Sequence, residues 1–331
     1  MRMPGGRSGW FVLFVAGLVF PLITHNDYYL TVMATAYVFA ISTLGLNLIT
    51  GYTGQYNLAH AAFMAIGAYT VGILTVDYGW PFWLAFLAGC PVILVVGIPL
   101  GWLSLRLKGH YFAIFTLCLG LILFLVIEKW DSLTHGVVGI IGVPPPPFFG
   151  GFEFASPRAT YYLVFAFLCV AVWFMLRLVN SLVGRSFVAI RNGDELAEAL
   201  GINLARTKLL SFLISVLYAG LSGALYAGFV RFLSPDIASE MHTFEMTMYM
   251  LVGGLGTVFG PLLGSILVPW ATQFMQALAD YRFVVFGPLL ILIVIFAPNG
   301  IAGSYLAWRA RRAAGLSRGT ASKTEEEARR A

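Results

Sequence analysis

Apolar residues in this chain fall in long, nearly continuous runs, without the two-residue alternation of half-buried strands. Runs over 10–23, 28–50, 58–76, 81–103, 110–127, 160–178 and 209–230 predict helices, most of them near the roughly 20 residues that cross a bilayer. Residues 244–252 are too short to cross alone. They lead into the glycine-rich GGLGTVFGPLLG of 253–264, and 265–279 continues the apolar pattern, so two helices with a jointed connection are expected there. A further span is expected at 283–297. The first run ends in LITHND, with no small-x-small cleavage site, which predicts a retained helix and not a removed signal. In lipid only helices and closed barrels satisfy their own backbone, and the weak ten-residue alternation of barrel strands is missing. The expected fold is therefore all-α: a polytopic transmembrane bundle of about ten helices, some of them broken or re-entrant.

Polar interruptions carry the rest of the reading. The most highly charged is GRSFVAIRNGDELAEALGINLARTK, 184–208, with Arg185, Arg191, Arg206 and Lys208 set against Asp194, Glu195 and Glu198. Within it, Asn192 is expected to cap a short helix, Glu195 to reach back to the capping N–H, and Gly201 to close the far end in a left-handed conformation. Leu196, Ala197 and Leu200 share one face, and Asp194, Glu195 and Glu198 the other. Two turns are too few to be stable alone, so such a helix needs a surface to dock on. A solvated loop between two spans fits the same spacing. A second interruption, GYTGQYNLAHAAFMAIGAY at 51–69, sets glycines and a polar group where a helix begins. A third, 128–158, contains Pro144 to Pro147 and is expected to be an extended, exposed loop.

Hydrophobic residues are 59% of the 331 positions and charged residues 11%, which lies outside the range of soluble domains. The net charge of +5 does not indicate nucleic acid here, because basic residues in such a chain report orientation. With both termini cytoplasmic, sixteen of the twenty basic residues fall inside, and only Lys129, Arg158, Arg231 and Arg282 outside. That count puts 184–208 in the cytoplasm. It also divides the chain into a transmembrane domain, 1–308, and a charged tail, 309–331, expected to be disordered beyond Arg318. Cys90, Cys118 and Cys169 each lie in an apolar run without metal-ligand spacing and are expected to be small buried residues, with no metal site and no disulfide.

No phosphate-binding G-x-x-x-x-G-K-[ST] occurs, and no segment is large enough for a nucleotide-binding domain, so the chain carries no ATPase of that kind. No H-E-x-x-H or G-x-S-x-G motif supports an enzyme. A broken helix in lipid is tolerated where its freed backbone is buried in protein or lines a cavity. The candidate pathway residues are therefore Gly51, Gly54, Gln55, Asn57 and His60 at one break and Gly253, Gly254 and Gly256 at the other. Close helix packing explains single glycines equally well. Glu245, an acid inside a late span, joins the candidates, with His242 as its nearest partner in sequence.

Three stretches carry a resemblance: GLNLITGYTGQYNLAHAAFMAIGAYT (45–70), 184–227, and LVGGLGTVFGPLLG (251–264). In this order they resemble the membrane-spanning permease subunits of ABC importers for branched-chain amino acids. The resemblance implies a multi-pass protein of the bacterial inner membrane that moves branched-chain or related small amino acids. It implies partners: a second, homologous permease subunit, two cytoplasmic ATPase subunits and a periplasmic solute-binding protein, with no cofactor in this chain and ATP and Mg on the partners. It implies further that Arg191, Asn192, Asp194, Glu195, Glu198, Ala199, Leu200 and Gly201 form the coupling contact with the ATPase, and that transport proceeds by alternating access. Tyr56–Asn57, Ala59 and Thr134–His135–Gly136 depart from the family pattern, so the resemblance specifies the family more narrowly than the solute. The alternative from another class is a stand-alone carrier or channel for a small polar solute.

Overall fold

The computed structural model describes residues 7–24, 26–107, 109–147, 154, 156–274 and 300. The expected span at 283–297 and the tail lie outside them. Five described helices are long and apolar enough to cross a membrane: α2, Asp27–Asn47, extended by a π turn at Leu48–Tyr52; α4, Phe82–Ser104; α5, His110–Lys129; α7, Pro157–Val179; and α10, Leu204–Val230. Four shorter helices complete the apolar set: α1, Arg7–Ile23; α3, His60–Val76; α11, Glu240–Gly253; and α12, Phe259–Phe274. Three small helices, α6 (Asp131–Thr134), α8 (Leu182–Asn192) and α9 (Asp194–Ala199), sit in the connections.

Burial shows which helices form the centre. The most apolar window of α2 is 89% buried and that of α10 61%, whereas α4, α5 and α7 stand at 33%, 28% and 22%. Outward-facing Leu87, Val95, Ile122 and Val170 on these last three are the residues that lipid would cover. Cys118 is also exposed, and Cys90 and Cys169 are half-buried, so the three cysteines are not the buried set expected of them. Cys118 follows the outer face of α5, which has no neighbour to cover it.

The central helices meet through small residues. A Cβ on Gly67 of α3 would collide with the backbone carbonyl of Gly220 in α10, and one on Gly223 with the carbonyl of Met64. Ser215, Ala219, Ser222, Ala224 and Ala227 keep the rest of that α10 face narrow. Between lipid-embedded helices the gain comes from close approach and not from expelled water, so the missing side chains are what let α3 and α10 touch. Gly45 does the same where α2 crosses α10 at Ser215 and Tyr218.

At the end of the bundle remote from α9, β1 (Ile140–Ile141) pairs antiparallel with β2 (Phe232–Leu233). His135 Nε2 lies 3.1 Å from both carboxylate oxygens of Asp77 there, joining the loop to the end of α3. The 128–158 connection thus has more local structure than the extended loop expected, because Gly142 and Val143 donate to the Arg231 carbonyl and pin it to the turn after α10.

The α3–α10 crossing gives a test with a matched control. Gly223→Ala forces a methyl against backbone that cannot yield and should cost about 1–3 kcal/mol, read as a lower melting temperature of the detergent-purified protein. Gly89→Ala in α4, where an added Cβ meets nothing within 4 Å, should leave it unchanged or slightly raised.

Candidate functional site

Two places in the bundle interrupt a helix inside the apolar core. At the first, α2 loosens into the π turn, the chain leaves it at Thr53, and α3 begins only at His60. His60 Nε2 donates to the carbonyl of Ser42 at 2.8 Å, so α3 starts level with the middle of α2. At 1.5 Å per residue this is about 15 Å back from the end of the π turn. Residues 53–59 therefore run back into the bundle and are not an external loop.

The second interruption mirrors the first. After α10 the chain turns inward: the Leu233 carbonyl accepts from Tyr69 Oη at 3.4 Å, and ten residues on Thr243 Oγ1 accepts from the Ala61 N–H at 3.0 Å. Hence α11 also begins within the bundle, and at 14 residues it is too short to cross. It ends at Gly253, capped by Gly254, and the break occupies 254–258, less than the 253–264 joint expected from sequence. Gly260 and Gly264 belong to α12, where a Cβ on Gly264 would strike the Tyr249 carbonyl. They are packing residues of an α11–α12 hairpin.

Backbone donors freed at the first break are met by side chains from different elements. Thr116 Oγ1 of α5 accepts from Leu58 N at 3.1 Å, Asn57 Oδ1 from Ala59 N at 3.0 Å, and Thr243 Oγ1 of α11 from Ala61 N. The two breaks are then stitched together by one amide. Asn47 Nδ2 donates to the Thr257 carbonyl at 2.8 Å, and its Oδ1 accepts from Gly256 N at 2.9 Å. Gly51 sits against that amide with no room for a Cβ.

The predicted pathway residues divide accordingly. Gly51, Gly54, Gly254 and Gly256 lie at the breaks, the last three with positive φ of 80°, 125° and 69°, while Gly253 ends α11 against Gly260. Asn57 and His60 are buried beside α3's start, and Asn57 Nδ2, His60 Nδ1, Gln55 Oε1 and Ser42 Oγ have no hydrogen-bond partner among the described residues. With Nε2 donating to Ser42, His60 Nδ1 is left as an acceptor. Glu245 does pair with His242, Oε2 to Nδ1 at 3.0 Å, and the His242 ring packs 5.7 Å from that of Phe39, thirteen residues into α2. Glu245 is therefore deep in the bundle, on the same helix as Thr243, which bonds Ala61 N next to His60.

The 184–208 stretch differs from the loop expected in several details. It is mostly helical, and α10 starts at Leu204. Asn192 is the last residue of α8 and does not cap α9; Gly193 takes that position, with no side-chain cap and hence no reciprocal bond from Glu195. Helix α8 runs on through Asn192, which displaces the cap by one residue to Gly193. The far end follows expectation. Gly201 has φ 81°, its N–H donates to Glu198 O at 2.9 Å and Ile202 N to Ala197 O at 3.1 Å, the paired bonds that close a helix C-terminus. Ala197 is fully buried against the bundle, whereas Leu196 and Leu200 are 62% and 70% exposed, beside exposed Glu195, Glu198 and Ala199. Asp194 faces inward and accepts from Lys208 Nζ of α10 at 2.6 Å. Arg191 also turns inward, its guanidinium donating to the Gly51 carbonyl.

Asn47, Thr116, Thr243, Thr257 and Lys208 were not among the sequence candidates. Their signal was a single polar residue inside an apolar helix, visible for Asn47 in GLNLIT. Its meaning depends on a partner some 210 residues away.

Residues 28–294 match the family described as the branched-chain amino acid transport system permease component. The chain is 31% identical over 287 residues to the high-affinity branched-chain amino acid transport system permease protein LivM of Salmonella typhimurium, covering 80% of this chain and 67% of that protein. LivM of Escherichia coli stands at the same identity and coverage. LivH of Escherichia coli is 26% identical over 292 residues, covering 80% and 91%. No solved structure matches the chain. Since the family match includes both interrupted helices and the short helix between them, this chain belongs to the permease components of branched-chain amino acid transport systems.

Proposed function

We propose that this chain is one of a pair of permease subunits in an ABC importer for branched-chain or related amino acids, energised by ATP and Mg on two ATPase subunits. In this reading it lies in the bacterial inner membrane with both termini cytoplasmic, and a periplasmic binding protein delivers the solute. Residues 1–308 are the transmembrane domain and 309–331 a cytoplasmic tail.

One observation carries the reading. Helix α9 is finished at its C-terminus and anchored on the bundle through Ala197 and Asp194, yet it holds Leu196 and Leu200 bare beside Glu195 and Glu198. Two exposed leucines one turn apart on a polar segment fit a groove on a partner, and a chain without a phosphate-binding motif takes its driving force from that partner. The solute pathway is proposed to run past the two breaks, where Asn57, His60 and Gln55 offer polar atoms. Solute then moves as two differently biased conformations exchange.

Replacing both leucines, Leu196→Asp with Leu200→Asp, removes about 1.5–3 kcal/mol of covered apolar surface per residue and should weaken ATPase binding about a hundredfold or more. Co-purification of the ATPase subunits measures it, and undiminished recovery refutes the docking surface. At the breaks, Asn47→Leu removes two hydrogen bonds worth about 1–3 kcal/mol together. Uptake into vesicles should fall while the ATPase still co-purifies. Asn47→Asp, which keeps only the acceptor for Gly256 N, should fall between.

A further inference from the structure

The last carbonyls of a helix carry partial negative charge and lack intrahelical donors, so a cation placed there is held without any carboxylate. Arg191 is in that position for the end of α2 and lies against the turn that follows α11. Its guanidinium donates to the carbonyl of Gly51 in the π turn that ends α2, and Nη1 lies where a Cβ on Gly256, in the turn that ends α11, would approach to 2.6 Å. Its aliphatic stem packs on Gly54, where an added Cβ would stand 3.2 Å from Cγ. Among the described residues no carboxylate pairs with it. Gly54 and Gly256 both have positive φ, so the absence of side chains opens the space that the arginine fills.

Arg191 is also the penultimate residue of α8, and only Gly193 separates α8 from α9. The segment is thus fastened at two points to different parts of the bundle. Lys208, buried on α10, holds Asp194, and Arg191 bonds the first break and packs against Gly256 of the second. A displacement of α8 and α9 together with the start of α10 keeps the ion pair and strains the Arg191 link, because the breaks belong to α2, α11 and α12.

We propose that Arg191 is the positioning residue that transmits movement of the docking segment to the first break directly and, through the Asn47 amide, to the second, keeping them in register here and freeing them when α8 and α9 shift. The proposal deepens the docking reading above and rests on it. Arginine suits the role because one planar cation can donate to the Gly51 carbonyl while lying against Gly256, which the single point of a lysine ammonium does less well.

The test uses the assembled importer in proteoliposomes. Arg191→Gln should leave the ATPase subunits co-purifying and hydrolysing ATP, while uptake per transporter falls about tenfold or more, as expected when a hydrogen bond from a charged donor is lost. Arg191→Lys should recover part of it. A second readout separates transmission from mere stability. In a background with Cys90, Cys118 and Cys169 replaced by Ala, Tyr56→Cys, at a half-exposed position beside the first break, should react with an impermeant maleimide at a nucleotide-dependent rate. Arg191→Gln should abolish that dependence. Wild-type uptake or an unchanged labelling response in Arg191→Gln overturns the proposal, as does a lowered melting temperature with uptake per folded transporter intact. Loss of the ATPase from Arg191→Gln overturns it too, by placing Arg191 in the docking surface. The docking reading fails separately, on retained ATPase in the Leu196→Asp, Leu200→Asp double variant.

Discussion

An unpaired peptide group in lipid costs several kcal/mol, and this chain interrupts its helices twice within the apolar core. Everything around the interruptions follows from finding those groups partners. Thr116 and Thr243 come in from α5 and α11 to serve the start of α3, and Asn47 serves the turn at 256–257. Because the partners belong to other elements, each break is held in place by the helix next to it. The two are parts of one structure, joined at α3's start by Thr243 and at α2's end by Asn47.

That arrangement contrasts with the α3–α10 crossing a few residues away. There contact is between backbones, through Gly67, Gly220 and Gly223, and a close-packed contact of this kind tolerates little sliding. At the breaks contact is through single hydrogen bonds from flexible polar side chains, which can exchange partners at modest cost. Rigid packing and exchangeable bonding thus lie side by side. Among the described residues, buried polar atoms without partners occur on Asn57, His60, Gln55 and Ser42 beside the first break, and on Ser215 and Ser265 elsewhere in the bundle.

The amount that the sequence disclosed varies with the range of the interaction. Long apolar runs place most helices within a few residues, since membrane thickness fixes their length. Closure of α9 at Gly201 was legible too, because a left-handed glycine is a local requirement. The start of α9 was not: Asn192 is a better capping residue than Gly193 on propensity, but α8 extends through Asn192 and leaves Gly193 in the capping position. Arg191 illustrates the limit. In sequence it belongs to a charged stretch and looks outward, and its inward direction depends on room left by Gly54 and Gly256, 137 residues before and 65 after it. Spacing along one helix cannot reveal an opening made by two others.

The inward bond of the Arg191 guanidinium also makes the proposed docking and linking roles compatible in one short segment. Helix α9 has only six residues, and a helix of that length cannot hold a direction by itself. Ala197 packed on the bundle and Asp194 bonded to Lys208 give it a direction, and these contacts leave its outer side, Leu196 and Leu200, bare. The segment's inner and outer sides are then occupied by different kinds of contact, apolar outward and charge to carbonyl inward. A partner that covers the leucines need not displace any inward bond, so docking and transmission do not compete for the same atoms. Had Arg191 faced outward with the leucines, the breaks would have had no direct bond to the segment, and only α10 would have remained to carry its motion into the core.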